Sequence, residues 1–131
     1  MDKHVERAME LRGGICPNCA ETIYLTYAKE LGLSEEVARS LGTNFGGGMK
    51  SGMTCGAITS GVAILGALGI TDPRSVGLFI RTMKENHGGL TDCMDLLRRN
   101  AQMGGQKKPH CDRMIADSIA LIEQIRAAAG K

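Results

Sequence analysis

The chain of 131 residues contains no tryptophan and only two tyrosines and two phenylalanines. Its hydrophobic core must therefore consist of aliphatic residues and methionine, of which there are eight. The chain also lacks a large excess of charge of one sign, since the formal net charge is only +2. Basic residues mostly alternate with acidic ones along the predicted helices, which argues against a nucleic-acid partner.

A long apolar segment is also lacking. The least polar stretch, residues 57–70, is too short and too rich in Gly, Ser and Thr for a membrane span. Residues 1–12 carry charges instead of the apolar segment of a signal peptide. We therefore expect a cytoplasmic protein without a membrane partner, where structural disulfides are uncommon. Five cysteines are then expected to carry chemistry or bind metal: Cys16, Cys19, Cys55, Cys93 and Cys111.

No stretch of the sequence alternates apolar and polar residues as a strand does. Helix start and stop signals are frequent instead, such as Asn18 with Glu21 as a capping box, Asp72 before Pro73, and a stop at Gly42. We predict an all-α, compact bundle of six or seven helices in one domain, residues 1–131. The predicted helices cover residues 2–12, 19–31, 35–41, 54–69 and 73–87, a segment starting at Thr91 or Asp92, and roughly 110–129.

The bundle is expected to form around the small-residue helix at about 54–69, which follows a glycine-rich loop. Thr54 is a suitable N-cap and would place Cys55 in the first helical turn. Because residues 57–68 carry no charge, we expect this helix to be buried on nearly all sides. The glycine loop lacks the lysine and hydroxyl of a phosphate-binding loop, so nucleotide binding is not favoured. Small residues four apart would let neighbouring backbones approach: Gly56 with Ser60, and Ala57 with Gly61.

Four cysteines fall at or just inside predicted helix starts: Cys19, Cys55, Cys93 and Cys111. Free backbone N–H groups and partial positive charge there favour thiolate over thiol. A helix dipole is worth about 0.3–1 kcal/mol, however, and one pKa unit is about 1.4 kcal/mol. Neighbouring thiolates also repel one another, and the sequence places few fixed cations beside them. Several thiolates at neutral pH would therefore require a bound metal or oxidation to a disulfide.

Cys16 and Cys19 form a Cys-Pro-Asn-Cys pair that can close a disulfide at a helix N-terminus. The absence of a βαβ pattern argues against a thioredoxin fold. A zinc site normally has a second such pair or suitably spaced histidines. His110 beside Cys111 is a candidate fifth donor, although we expect it in an exposed loop. His4 and His87 are expected at helix surfaces or ends.

The ordered motifs together resemble the C-GCAxxG-C-C family, which is described as redox-active. They are Asn18-Cys19-Ala20-Glu21, Phe45-Gly46-Gly47-Gly48-Met49, Thr54-Cys55-Gly56-Ala57, Cys93 followed by Leu96-Leu97, and Cys111. The resemblance implies that its four hallmark cysteines are Cys19, Cys55, Cys93 and Cys111. Because related domains occur in split-Soret cytochromes, it also implies an iron or iron–sulfur site.

Two positions depart from the family pattern. Ser60 stands where the motif ends in glycine, with Gly61 next, and Cys16 stands where glycine is common. The Cys16–Cys19 pair is therefore an addition with its own redox role in this interpretation. No Cys-x-x-Cys-His sequence is present, so haem is not expected.

Two functional hypotheses follow. The first is a redox protein that uses all five cysteines for thiol/disulfide or electron-transfer chemistry, with Cys55 in the leading role and an unknown redox partner. The second is a metal-binding module in which Cys19, Cys55, Cys93 and Cys111 hold iron, an iron–sulfur cluster or zinc. A helical interaction protein with incidental cysteines is the third alternative. The sequence leaves open whether the protein is an enzyme and whether it forms a homodimer.

Overall fold

Residues 2–131 of the computed structural model contain seven α-helices, a π-helical turn at Gly48–Gly52 and no strand; Met1 lies outside the described residues. The predicted all-α, compact bundle of six or seven helices is confirmed. The helices are α1 (Lys3–Gly13), α2 (Cys19–Leu31), α3 (Glu35–Gly47), α4 (Gly56–Ala67), α5 (Pro73–Asn86), α6 (Cys93–Gln102) and α7 (Lys107–Ala128). Among them, none combines the length and the low polarity that crossing a bilayer requires.

The start signals of α2 and α5 act as predicted. The backbone N–H of Glu21 donates to the Asn18 side chain at 2.8 Å, and the Asn18 N–H donates back to the Glu21 carboxylate at 3.3 Å. At α5, Asp72 accepts from the Ser75 N–H at 2.9 Å, and proline is the first helical residue. The capping box makes Cys19 the first residue of α2.

Gly42 does not end α3, so the predicted stop there is wrong. The helix continues to Gly47, with a kink at Gly46. A Cβ at Gly42 would collide with the backbone of Glu21, so this glycine serves the close packing of α2 against α3. The chain turns only at residues 47–50, where four consecutive residues are left-handed with φ between 56° and 64°.

Thr54 is not the N-cap of α4, as the sequence had suggested. Cys55 occupies that position, and Gly56 begins the helix. Thr54 instead pairs with Asp92 in a short antiparallel bridge. The Cys55 N–H donates to the Thr91 carbonyl at 2.8 Å, and the Cys93 N–H donates to the Met53 carbonyl at 2.6 Å. This bridge holds the starts of α4 and α6 side by side.

Helix α4 is buried along most of its first half and on one face of its second half. Its buried residues are Gly56, Ala57, Ile58, Ser60, Gly61, Ile64 and Leu65. Ala63, Gly66 and Ala67 are exposed, so the predicted burial on nearly all sides is wrong for the second half. The small residues do allow close approach, because the Gly61 backbone lies against Phe79 and Ser118.

Most of the remaining core comes from α2, α5 and α7, and α1, α3 and α6 add a few buried residues. Helix α7 buries the predicted apolar face, Met114, Ile115, Ile119, Ile122 and Ile125. It begins at Lys107 rather than near His110, so residues 107–109 are helical and not part of the preceding loop. In α5, Phe79 and Met83 are fully buried, whereas Ile80 is 39% exposed.

Candidate functional site: a cavity lined by cysteines

A cavity of about 440 Å³ lies where the N-terminal halves of α2, α4, α6 and α7 meet. All five cysteines line it, so residues separated by up to 95 positions in sequence share one site. The other lining residues are Arg12, Asn18, Gly47, Gly56, Leu96, Leu97, Lys107, Lys108, His110 and Met114. All five cysteines are free thiols.

The cysteines occupy different positions relative to their helices. Cys19 and Cys93 are the first residues of α2 and α6, and Cys55 is the N-cap of α4. Cys111 is one turn inside α7, because that helix begins four residues earlier at Lys107. The predicted placement of Cys111 at a helix start is therefore wrong. Cys16 lies in the loop before α2, where it is exposed and has a left-handed φ of 51°.

Cys19 is the centre of the sulfur cluster. Its thiol hydrogen-bonds with Cys111 and Cys55, and these bonds, together with burial, hold its pKa well above the ordinary thiol value. A raised pKa means that Cys19 keeps its proton and acts as the donor. The single Cys19 proton can be donated to either of these two sulfurs.

Cys111 and Cys55 receive that hydrogen bond, and the pKa of each is lowered. For Cys111, the Cys19 thiol is the largest cause and the charges of Arg12 and Lys107 add to it, which lowers the pKa to about 7 despite burial. For Cys55, the Cys19 thiol again acts first, and the backbone N–H groups of Ala57 and Ile58 contribute. The cluster therefore favours thiolate at Cys111, and it lowers the pKa of Cys55 against the repulsion of the Cys111 charge.

Cys93 lies at the edge of the cluster. Its pKa is raised, first by burial and then by the negative charge of Cys55 and Cys111. In the part of the chain that the structure describes, no three cysteine sulfurs lie within 4.8 Å of one another. The cluster is consequently compact around Cys19 but open on the side of Cys93.

Arg12 is a site residue that the sequence reasoning missed. It is only 7% exposed, and its guanidinium donates to the Pro17 carbonyl at 2.6 Å and to the Asp112 carboxylate. With Lys107 and Lys108 it lines the cavity, so the expectation of few cations near the cysteines is wrong. The available signal was its helical spacing from Val5 and Ala8, which places an arginine on the buried face of α1.

All three histidines are buried, so the expectation of an exposed loop position for His110 is wrong. His4, in the first turn of α1, and His87, the C-cap of α5, lie at helix ends as predicted. His110 is in the wall of the cysteine cavity, and its pKa is lowered by burial and by nearby Arg113, His87 and Arg99. His4 lies away from the cysteines, where Nε2 is 2.7 Å from Glu30 and the ring stacks on Tyr27. His87 lies beyond His110, on a second cavity.

The fold and the site together are an all-α bundle whose five cysteines line one cavity. The family model described as "Putative redox-active protein (C_GCAxxG_C_C)" matches residues 17–125. The chain belongs to this family, and the resemblance seen in the sequence is confirmed. The match contains Cys19, Cys55, Cys93 and Cys111 and begins one residue after Cys16. No curated protein and no solved structure matches the chain.

Proposed function

We propose that the cysteine cavity is a thiol/disulfide redox centre in which Cys111 is the attacking thiolate and Cys19 is the resolving cysteine. The observation that carries this proposal is that Cys19 and Cys111 share one cavity, where the Cys19 thiol is the largest cause of a Cys111 pKa lowered to about 7. Thiolate, not thiol, is the nucleophile in disulfide exchange, and a thiol with a pKa near the ambient pH attacks best.

The reaction balances as a two-electron exchange. The Cys111 thiolate attacks one sulfur of a substrate disulfide, forms a mixed disulfide and releases the other half as a thiolate. Cys19 then attacks the Cys111 sulfur, and the second half leaves as a thiolate. Cys19 gives up its proton to Cys55 as it attacks, and the two substrate halves, which leave as thiolates, take protons from the solvent. The protein is oxidised to a Cys19–Cys111 disulfide, and the substrate is reduced.

Cys111 is favoured over Cys55 for the first step, although the sequence motif pointed to Cys55. Cys55 is only 5% exposed, whereas Cys111 is half-buried. Arg12 and Lys107 also act on Cys111. A substrate entering the cavity therefore meets a stabilised thiolate at Cys111 first, with Cys55 positioned behind it.

Cys19 becomes reactive once Cys111 is in a mixed disulfide. Its pKa is held high chiefly by its hydrogen bonds with Cys111 and Cys55 and by their negative charge. Formation of the mixed disulfide removes the charge on Cys111, so the largest of those causes disappears. Cys55 remains as a hydrogen-bond acceptor that can take the Cys19 proton. The same geometry thus keeps Cys19 protonated at first and releases it for the second attack.

Thiol counting on metal-free protein tests this proposal. A model disulfide should remove two of the five titratable thiols, and dithiothreitol should restore them. A Cys111→Ser variant should lose the reversible change, while Cys93→Ser, the matched control at the edge of the cluster, should retain it. Five thiols that stay titratable under oxidising conditions would refute the thiol mechanism.

A metal centre is the second candidate function, favoured by the donor set itself. Four thiols from the family motif face one cavity, and thiolates suit iron–sulfur clusters and zinc. For a single zinc ion, Zn–S bonds of about 2.3 Å in a tetrahedron would bring all sulfurs within roughly 3.8 Å of one another. Because no three of the cysteine sulfurs lie within 4.8 Å of one another in residues 2–131, their spacing fits an iron–sulfur cluster better than a single zinc ion.

In that case Cys19, Cys55, Cys93 and Cys111 would hold the cluster, and the cluster would supply one-electron transfer. Arg12 and Lys107 would offset part of the negative charge of the four thiolates. Metal analysis and an absorption spectrum of anaerobically purified protein separate the two candidates. Stoichiometric iron that depends on all four cysteines would favour the cluster over disulfide exchange.

A further inference from the structure

A second cavity of about 230 Å³ lies beside the cysteine cavity, between the end of α5 and the facing sides of α6 and α7. The two cavities share Leu96 and His110 in their walls. The polar side chains that face the second cavity and not the first are Asn86, His87, Arg99, Asn100, Arg113 and Asp117. None of these residues takes part in the proposed thiol chemistry.

The charges in this cavity do not balance. Arg99 and Arg113 both line it, and within residues 2–131 neither guanidinium has a carboxylate oxygen within 4.0 Å. Asp117 is the single acidic side chain of the wall. Both arginines reach the cavity from exposed positions, and the Arg99 guanidinium packs over Gly88, where a Cβ would lie 2.6 Å from the guanidinium carbon. The two guanidinium groups outnumber the single carboxylate, so the wall of the cavity carries a net positive charge.

His87 adds an unused donor. The residue is only 6% exposed, and its Nε2 has no hydrogen-bond partner. The Oδ2 atom of Asp117 lies 3.0 Å from this nitrogen but is not aligned to accept a hydrogen bond. The misaligned carboxylate compensates only part of the burial of this nitrogen, so an oxygen of a bound ligand would complete its hydrogen bonding.

We propose that this second cavity binds a small oxyanion of the phosphate type, free or as the phosphate of a phosphomonoester. Arg99 and Arg113 would donate to its oxygens, since a guanidinium presents several N–H groups in a plane that matches an oxyanion. His87 would donate from Nε2. The volume is adequate, because a water molecule takes roughly 30 Å³ in the liquid and the anion needs only a few times that space.

The test is isothermal titration of the full chain with inorganic phosphate, at an ionic strength kept constant with chloride. We expect saturable binding. Arg99→Gln should weaken it about tenfold or more, as expected for the loss of a charged hydrogen bond. Arg98→Gln is the matched control, because this neighbouring arginine does not line the cavity and lies 4.0 Å from Asp95. Asp117→Asn should strengthen binding, because it removes the negative charge from the wall.

Each outcome supports the site or overturns it. The absence of saturable phosphate binding, or equal weakening by Arg98→Gln and Arg99→Gln, would refute the proposal. Circular dichroism verifies that each variant is folded, and Arg113→Gln replaces Arg99→Gln if that variant is not. Parallel titration with adenosine monophosphate distinguishes the two sources of the anion, since tighter binding of the nucleotide would identify a phosphomonoester. Thiol reactivity is measured separately, so failure here leaves the proposed redox function untouched.

Discussion

Replacing Gly61 with alanine perturbs the closest contact between α4 and its neighbours. An added Cβ would lie 2.8 Å from the Ser118 Oγ and would overlap the ring of Phe79. Both neighbours are fully buried, so neither side chain can move into solvent. Overpacking of this kind costs typically about 1–3 kcal/mol. A larger side chain, as in Gly61→Leu, should cost at least as much.

Gly66→Ala is the matched control on the same helix. Gly66 is exposed, and a Cβ there would meet no atom within 4 Å. Both substitutions gain the same helix propensity, about 1 kcal/mol, so their difference isolates the overpacking. We expect Gly66→Ala to be the more stable variant by about 1–3 kcal/mol, or very roughly 3–12 °C in Tm for a chain of this size. Equal melting temperatures in differential scanning calorimetry would refute the packing described for α4.

Further predictions concern the cysteine cluster and the core. In metal-free protein, the rate at which iodoacetamide alkylates Cys111 should be half-maximal near pH 7 and should fall at lower pH, because the pKa of Cys111 is lowered to about 7. Mass spectrometry gives the rate at each pH. Lys107→Gln should move that midpoint to higher pH, because a positive charge near Cys111 is lost, and Lys84→Gln serves as the control. An unchanged midpoint in Lys107→Gln would contradict the role of Lys107. Tyr27→Phe removes a 2.7 Å hydrogen bond to the Glu123 carboxylate and should lower the free energy of unfolding in urea by about 1–3 kcal/mol. An unchanged urea midpoint would contradict this prediction.

Local signals explain why the sequence predicted most helices correctly. Capping residues act through backbone groups a few positions away, so Asn18 and Asp72 could be recognised without any tertiary information. The start of α7 carries no such signal, because Gln106 makes no side-chain cap. Pro109, which suggested a loop, is tolerated because it lies in the first helical turn.

The surroundings of the site could not be predicted in the same way. The family motif identified the cysteines, but their hydrogen-bonding order depends on how α2 and α7 pack, which no local pattern encodes. Arg12 lies 99 positions from Cys111 in sequence and influences it only through the contact of α1 with α7. The burial of His87 and His110 is likewise a result of packing.

Disulfide mapping of metal-free protein after mild oxidation tests the central claim most directly. The chain is oxidised with a small disulfide, alkylated, digested with trypsin and analysed by mass spectrometry. No lysine or arginine separates Cys16 from Cys19, so the linked peptide must be fragmented between these residues to assign the bond. The account predicts a bond between Cys19 and Cys111. Cys111 recovered as a free thiol beside a Cys16–Cys19 disulfide, or five free thiols, would contradict it.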